Sequence, residues 1–138
     1  MKKLFIDTNI VIDLLSRREP YFAASAMLFS LADKKQIELT ISSLSIANTS
    51  YVLLRQMDAN KAKSILRKLR LIVTILPLDD KIVGLALNDE NFSDFEDALQ
   101  YFSALENGQD LIITRNLKDF KHSKLPVMTA QQFIETIE

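Results

Sequence analysis

No cysteine occurs among the 138 residues, which excludes disulfides, thiolate metal sites and a cysteine nucleophile, and leaves the redox compartment open. Histidine is almost as scarce. The single one, His122, sits in the Lys-rich stretch Lys121-His122-Ser123-Lys124, so any Ser-His-Asp triad would have to run through what reads as a solvated loop. Only two glycines, Gly84 and Gly108, are present. A phosphate-cradling glycine loop has nothing to be built from, and neither nucleotide fingerprint is found. No apolar run approaches the length of a membrane span. Met1-Lys2-Lys3 leads into an apolar run too short for a secretory signal. The expectation is a cytoplasmic protein with no membrane association. A chain of 138 residues, 48% hydrophobic and 25% charged, is most simply one globular domain over 1–138. The reactive equipment that remains is carboxylates, amides and hydroxyls, the ligand set of hard cations such as Mg²⁺ or Mn²⁺.

The stretch Leu4-Phe5-Ile6-Asp7-Thr8-Asn9 organises the rest. A short apolar run that stops at turn-forming polar residues reads as a strand buried on both faces. Thr8 or Asn9 can cap the helix that follows. Asp7 then sits at the carboxyl end of a central parallel strand, where open α/β sheets place their ligand crevice.

Further along, strands and helices alternate. Helices are predicted over Ile10–Ser16, Tyr21–Lys34 and Ser43–Gln56, the last entered through Ser42 or Ser43. A fourth is capped by Asn60, with Ala62, Ile65, Leu66 and Leu69 on one face. A fifth runs from Asp79 to about Leu87. Ser93-Asp94-Phe95-Glu96 has the form of a capping box, opening a sixth from Asp94 to about Glu106. Thr129-Ala130-Gln131-Gln132 is a second such box and opens the last helix. Strands are predicted at Ile37–Ile41, Leu71–Leu76, Asp110–Thr114 and, as a proline-bearing edge, Leu125–Met128. With the first, that makes a three-layer α/β/α domain around a mostly parallel sheet of about five strands, their carboxyl ends on one rim.

Two helices carry polar residues on apolar faces. In the sixth, the expected outward stripe is Glu96, Gln100, Ser103 and Asn107. Asp94 stacks with Ala98, Tyr101 and Leu105, and Asp97 with Tyr101 and Ala104, so both carboxylates lie on or beside the apolar face. Acids in a first turn complement the helix dipole, which suffices for Asp94. A half-buried Asp97 needs a partner or a metal. In the third helix Asn48 shares a face with Leu44, Tyr51 and Val52, and serves equally as a core amide or a site residue. The Leu111 strand ends in Thr114 and Asn116, with Asp119 beyond. Two strand ends and two helical positions can thus bring Asp7, Asn48, Asp97 and Asn116 together, and converging carboxylates are relieved by a divalent cation.

Phe5-Ile6-Asp7-Thr8-Asn9, Ser93-Asp94-Phe95-Glu96-Asp97-Ala98, and Ile113-Thr114-Arg115-Asn116 followed by Asp119-Phe120 together resemble a PIN domain in order and spacing, over essentially the whole chain. The resemblance implies a metal-dependent ribonuclease of α/β/α fold. Small bacterial members are often the toxin of a toxin–antitoxin pair, which implies RNA and a cognate antitoxin protein as partners. The family's first acid falls on Asp7 and its third on Asp97, with Asp94 as helper. Its fourth falls on Asn116, with Asp119 three residues later. The second, usually a glutamate on the third helix, falls on Asn48. An amide can ligate a metal through its oxygen but brings no charge. On this reading Asp7, Asp97, Asn48 and Asn116 carry catalysis. Asp7, Asp97, Asp94 and Asn116 hold Mg²⁺ or Mn²⁺, and Thr8, Asn9, Thr114 and Asp119 support them.

Charge adds a modest point. The formal net charge of −1 argues against strong non-specific nucleic-acid binding by the whole surface. Arg55, Lys61, Lys63, Arg67, Lys68 and Arg70 cluster around the fourth helix, either as an RNA track or, as is commoner, as a solvated face. Tyr21, Phe22 and Phe29 would serve a homodimer or partner groove, or the core. A second reading is therefore a non-catalytic PIN-like module that binds RNA or protein, its site weakened by Asn48. A third, an aspartyl-phosphate phosphatase, lacks the usual second acid two residues after Asp7, where Asn9 stands.

Overall fold

A computed structural model describes residues 1–137. Five strands form one all-parallel sheet. They are β1 (Lys3–Ile6), β2 (Glu38–Ser42), β3 (Val73–Leu76), β4 (Leu111–Ile113) and β5 (Val127–Met128), in the spatial order β3-β2-β1-β4-β5. β1 is central because its residues alternate between two cores. Leu4 and Ile6 join the larger cluster on one face, whereas Phe5 joins Tyr101, Ile112 and Phe120 on the other. Helices cover both faces, so the architecture is the expected three-layer α/β/α.

The helices are α1 (Thr8–Leu15), α2 (Phe22–Asp33), α3 (Ser43–Leu53), α4 (Ala59–Arg70), α5 (Asp80–Asn88), α6 (Phe95–Glu106) and α7 (Ala130–Ile137). A 3₁₀ turn over Leu117–Phe120 follows β4 and was not expected. Three caps differ from expectation in the same way. Asp7 caps α1 in place of Thr8 or Asn9, Asp58 caps α4 in place of Asn60, and Asp94 caps α6 in place of Ser93. In each case an aspartate one or two residues away takes the orphan amides, since a carboxylate also complements the dipole. The box at α7 forms as read: Gln132 N–H donates to the Thr129 hydroxyl and Thr129 N–H to the Gln132 carboxamide, at 3.1 and 2.9 Å.

Leu71 and Ile72 end α4's connection and are not strand, so β3 is shorter than read; Leu71 is 86% exposed. Phe29 belongs to the larger core, while Tyr21 stays exposed. Among the described residues no helix is long and apolar enough to cross a membrane.

From β1 the chain passes to β2 on one side, and β4 returns to the other. The carboxyl end of β1 is thus the switch point of the sheet, where a crevice opens.

Candidate active site

Asp7 ends β1 at this switch point. It is 8% exposed and both its oxygens are engaged. Oδ1 accepts from the Thr8 N–H at 2.8 Å. Oδ2 accepts from the Thr114 hydroxyl at 2.8 Å and, more weakly, from the Asn9 amide at 3.4 Å. Thr114, wholly buried at the end of β4, also accepts from Asn116 N–H and from the Asn9 amide. Its hydroxyl is therefore saturated and cannot turn away from Asp7. Burial pushes the Asp7 carboxyl above the usual range, against the opposing pull of Thr114, Thr8 and Gln100.

A cavity of about 260 Å³ opens above Asp7. Thr8, Asn9, Asn48, Asp97 and Asn116 line it, together with Leu44, Glu96 and Gln100. The four residues expected to converge do so. Asp97 is half-buried near the start of α6, and its carboxyl is pushed up to about 7. Desolvation is the main cause, followed by the negative charges of Asp94, Asp7, Asp119 and Glu96. Asp94 and Asp119 do not line the cavity. Asp94 caps α6, its Oδ1 accepting the Asp97 N–H at 3.1 Å, and Asp119 lies on the 3₁₀ turn. Both act on Asp97 through charge.

The outward stripe expected for α6 is corrected. Gln100 is 3% exposed and Ser103 wholly buried, and Glu96, though exposed, borders the cavity. The Gln100 side-chain oxygen accepts from Ser42 at 2.6 Å. Its nitrogen donates to Ser45 at 2.9 Å and to Thr8 at 3.2 Å. Ser45 and Thr8 hydroxyls share a further bond of 2.8 Å. One amide thereby ties α6 to β2, α3 and α1 directly beneath Asp7. A buried carboxamide so fully paired is stable where an unpaired one is not. A helical wheel assigns polar residues outward and cannot see partners 55 or 58 residues away.

Asn48 is only partly buried, at the cavity wall, while its neighbour Tyr51 is 64% exposed and stacks with Arg55. The basic cluster is exposed. Arg67, Lys68 and Arg70 close α4 just before β3 begins, and so lie toward the amino-terminal edge of the sheet, opposite the acid cavity. That placement favours a solvated face. His122 is exposed, as read.

Every donor that faces the cavity through a side chain is oxygen or amide. Among the described residues, no three His, Cys, Asp or Glu side chains are grouped to hold a metal ion. The arrangement fits a hard cation held by Asp7 and Asp97, its shell completed by amide oxygens and water, as Mg²⁺ commonly keeps several waters. The crowding of acids that lifts Asp97 is what such a cation would relieve.

A three-layer parallel sheet with an acidic, all-oxygen cavity at its switch point defines an α/β/α protein suited to divalent-metal chemistry. The chain belongs to the PIN domain family, whose model matches residues 3–118. Ribonuclease VapC1 of Aquifex aeolicus (strain VF5) is 31% identical over 140 residues, covering 97% of this chain and 94% of that protein. Among solved structures, a toxin–antitoxin complex from Klebsiella pneumoniae contains a chain superposable with a TM-score of 0.69 at 22% identity, over 92% of this chain and 97% of that one. FitAcB from Neisseria gonorrhoeae gives 0.69 at 16% identity, over 93% and 98%. At these identities the solved structures speak to the fold alone.

Proposed function

We propose that this chain is a divalent-metal-dependent endoribonuclease, the toxin of a toxin–antitoxin pair, acting in the cytoplasm as one domain. The observation that carries this reading is the pair Asp7 and Asp97, facing one cavity with amides, the Thr8 hydroxyl and Glu96 at its border. Membership of the PIN family and the likeness to Ribonuclease VapC1 support it. The toxin–antitoxin complex among its structural relatives supports an antitoxin protein as partner.

Asp7 and Asp97 are the metal-holding acids, and Asn48 and Asn116 offer amide oxygens beside them. The cation is Mg²⁺ or Mn²⁺, the ions suited to oxygen donors and retained water. When bound, it would supply Lewis acidity toward a phosphodiester and make water a better nucleophile near neutral pH. Thr114 and Asn9 keep the Asp7 carboxylate in one orientation. Gln100 fixes the α6 backbone that carries Asp97 and closes the floor against bulk water. Asp97, ionised only in part near pH 7, gives up its proton when positive charge enters the cavity.

One observation favours a non-catalytic binding module instead: among the described residues no three His, Cys, Asp or Glu side chains are grouped to hold a metal ion, and the cavity wall on α3 carries the uncharged Asn48. A single set of measurements separates the two. Mn²⁺ at millimolar concentration should raise the melting temperature by binding the folded state and should permit cleavage of single-stranded RNA. Asp7→Asn should abolish the thermal shift and lower cleavage on the order of 100-fold or more. Cleavage selects the nuclease; a parent that does not cleave RNA, whether or not Mn²⁺ shifts its melting curve, overturns that reading in favour of the binding module.

A further inference from the structure

Thr114, Arg115 and Asn116 carry the chain over the rim, and on the far side of this turn from the acids lies a second cavity of about 400 Å³. α1, α2 and the start of α7 enclose it, and Asn116 lines both cavities. One ion pair forms its polar wall. Arg115 Nε lies 2.9 Å from Oδ2 of Asp13, whose side chain is wholly buried. The guanidinium carbon sits 4.1 Å from the centre of the Tyr21 ring. Arg115 is the close charged partner of Asp13, and no other donor reaches either Asp13 oxygen.

Burying the Asp13 charge with one partly exposed partner to offset its desolvation contributes little to stability. What the pair does provide is orientation. A flat guanidinium is clamped between a buried carboxylate and an aromatic face, at the edge of a cavity that adjoins the acids. Its charge is neutralised by Asp13, so a phosphate gains little by entering. Ile10, Pro20, Ala24 and Ala130 supply apolar wall, and Asn116, Thr129 and Gln131 add polar groups at its edge. This suits a flat, uncharged group with polar edges. Guanidinium planes and aromatic rings are the surfaces on which unpaired bases stack. Position points the same way. Thr114 and Asn116 are two residues apart, at most about 7 Å, so a strand with a phosphate over Asp7 and Asp97 brings its adjoining base here.

We propose that this cavity is a nucleobase subsite, which takes the unpaired base next to the phosphate being cut and stacks it on the Arg115 guanidinium. The inference rests on the ribonuclease reading and adds to it a substrate class: single-stranded RNA, sensed at a flanking base.

The test uses hexaribonucleotides carrying 2-aminopurine at successive positions, bound to the full chain in chelator so that no cleavage occurs. Stacking should quench the fluorescence about twofold or more at one position. Tyr21→Leu and Arg115→Lys should each remove that quenching. The lysine keeps a cation for Asp13 but has no planar face, and circular dichroism melts verify that both variants fold. With Mn²⁺ restored, both should lose base preference at one position beside the cut. Equal quenching in parent and variants, or none at any position, overturns the proposal. So does a pair of variants that bind and cut RNA as the parent does but lose affinity for a cognate antitoxin, which would give the cavity to a protein side chain. Quenching with the predicted variant losses, but no cleavage in Mn²⁺, leaves the subsite standing and overturns the nuclease reading alone.

Discussion

Asp7 and Asp97 face the same cavity yet are held in opposite ways. Three donors grip Asp7, which is nearly sequestered from water. Asp97 is half-buried, its carboxyl pushed up first by desolvation and then by the acids around it. One carboxylate is therefore part of the scaffold, fixed before anything binds. The other is a strained partner whose charge state depends on what enters. A site built this way combines a rigid anchor with a group that responds to charge.

The contrast is sharpest in stability without metal. At pH 8 in chelator, Asp7→Ala should lower stability by about 2–4 kcal/mol, because Thr114, Asn9 and the Thr8 amide lose their acceptor. Asp97→Ala should leave stability unchanged or raise it, by removing a repelled charge. Chemical denaturation of the two variants reads the difference directly, and equal losses would erase the distinction.

Gln100 belongs to the anchored side. Gln100→Leu should cost about 1–3 kcal/mol, since the buried Ser42 hydroxyl loses its acceptor and Ser45 loses a donor. It should also weaken Mn²⁺ binding roughly 10-fold through lost positioning. Isothermal titration with Mn²⁺ checks this, and an unweakened site would confine Gln100 to the core.

Asn48→Glu tests the responsive side. A further acid at the cavity wall, joining Asp7, Asp97 and Glu96, should destabilise the metal-free protein by about 1–2 kcal/mol. Mn²⁺ should restore that loss and bind more tightly than to the parent. A loss that metal does not recover would place Asn48 outside the ligand set.

The smallest effect is in pH. Asp97 has a folded-state pKa of about 7, above its ordinary 3.8, so the folded chain holds this proton more tightly than the unfolded chain does. Its contribution to metal-free stability is therefore full below about pH 4 and is lost as pH rises toward 7. Metal affinity runs the other way, rising with pH until about 7 as the competing proton leaves. Carboxyl-carbon NMR follows the titration, and Asp97→Asn should flatten both trends.

Much of this was legible in the sequence because local rules sufficed. Apolar runs halted by Asp7 and Thr114 mark strand ends, and Asp97 on an apolar face marks a carboxylate that needs company. The order of elements then set the parallel sheet and placed these residues on one rim. What escaped was non-local. Gln100 reads as surface until Ser42 and Ser45 arrive from another strand and helix, and the pairing of Asp13 with Arg115 joins residues that no local pattern links. The caps escaped for a subtler reason. Asp, Asn and Ser compete within two residues of each other, and charge decided among them.

The clamp on Asp7 also has a bearing on the order of synthesis. Asp7 N–H donates to Ile113 at 2.9 Å, and the Thr114 hydroxyl that aligns its carboxylate lies 107 residues further along the chain. A ribosome delivers the anchor first and its fastener 107 residues later. A nascent chain stopped before residue 111 carries both acids but not the strand that aligns them. The site is thus timed by translation itself, its acids waiting on the strand that fixes them.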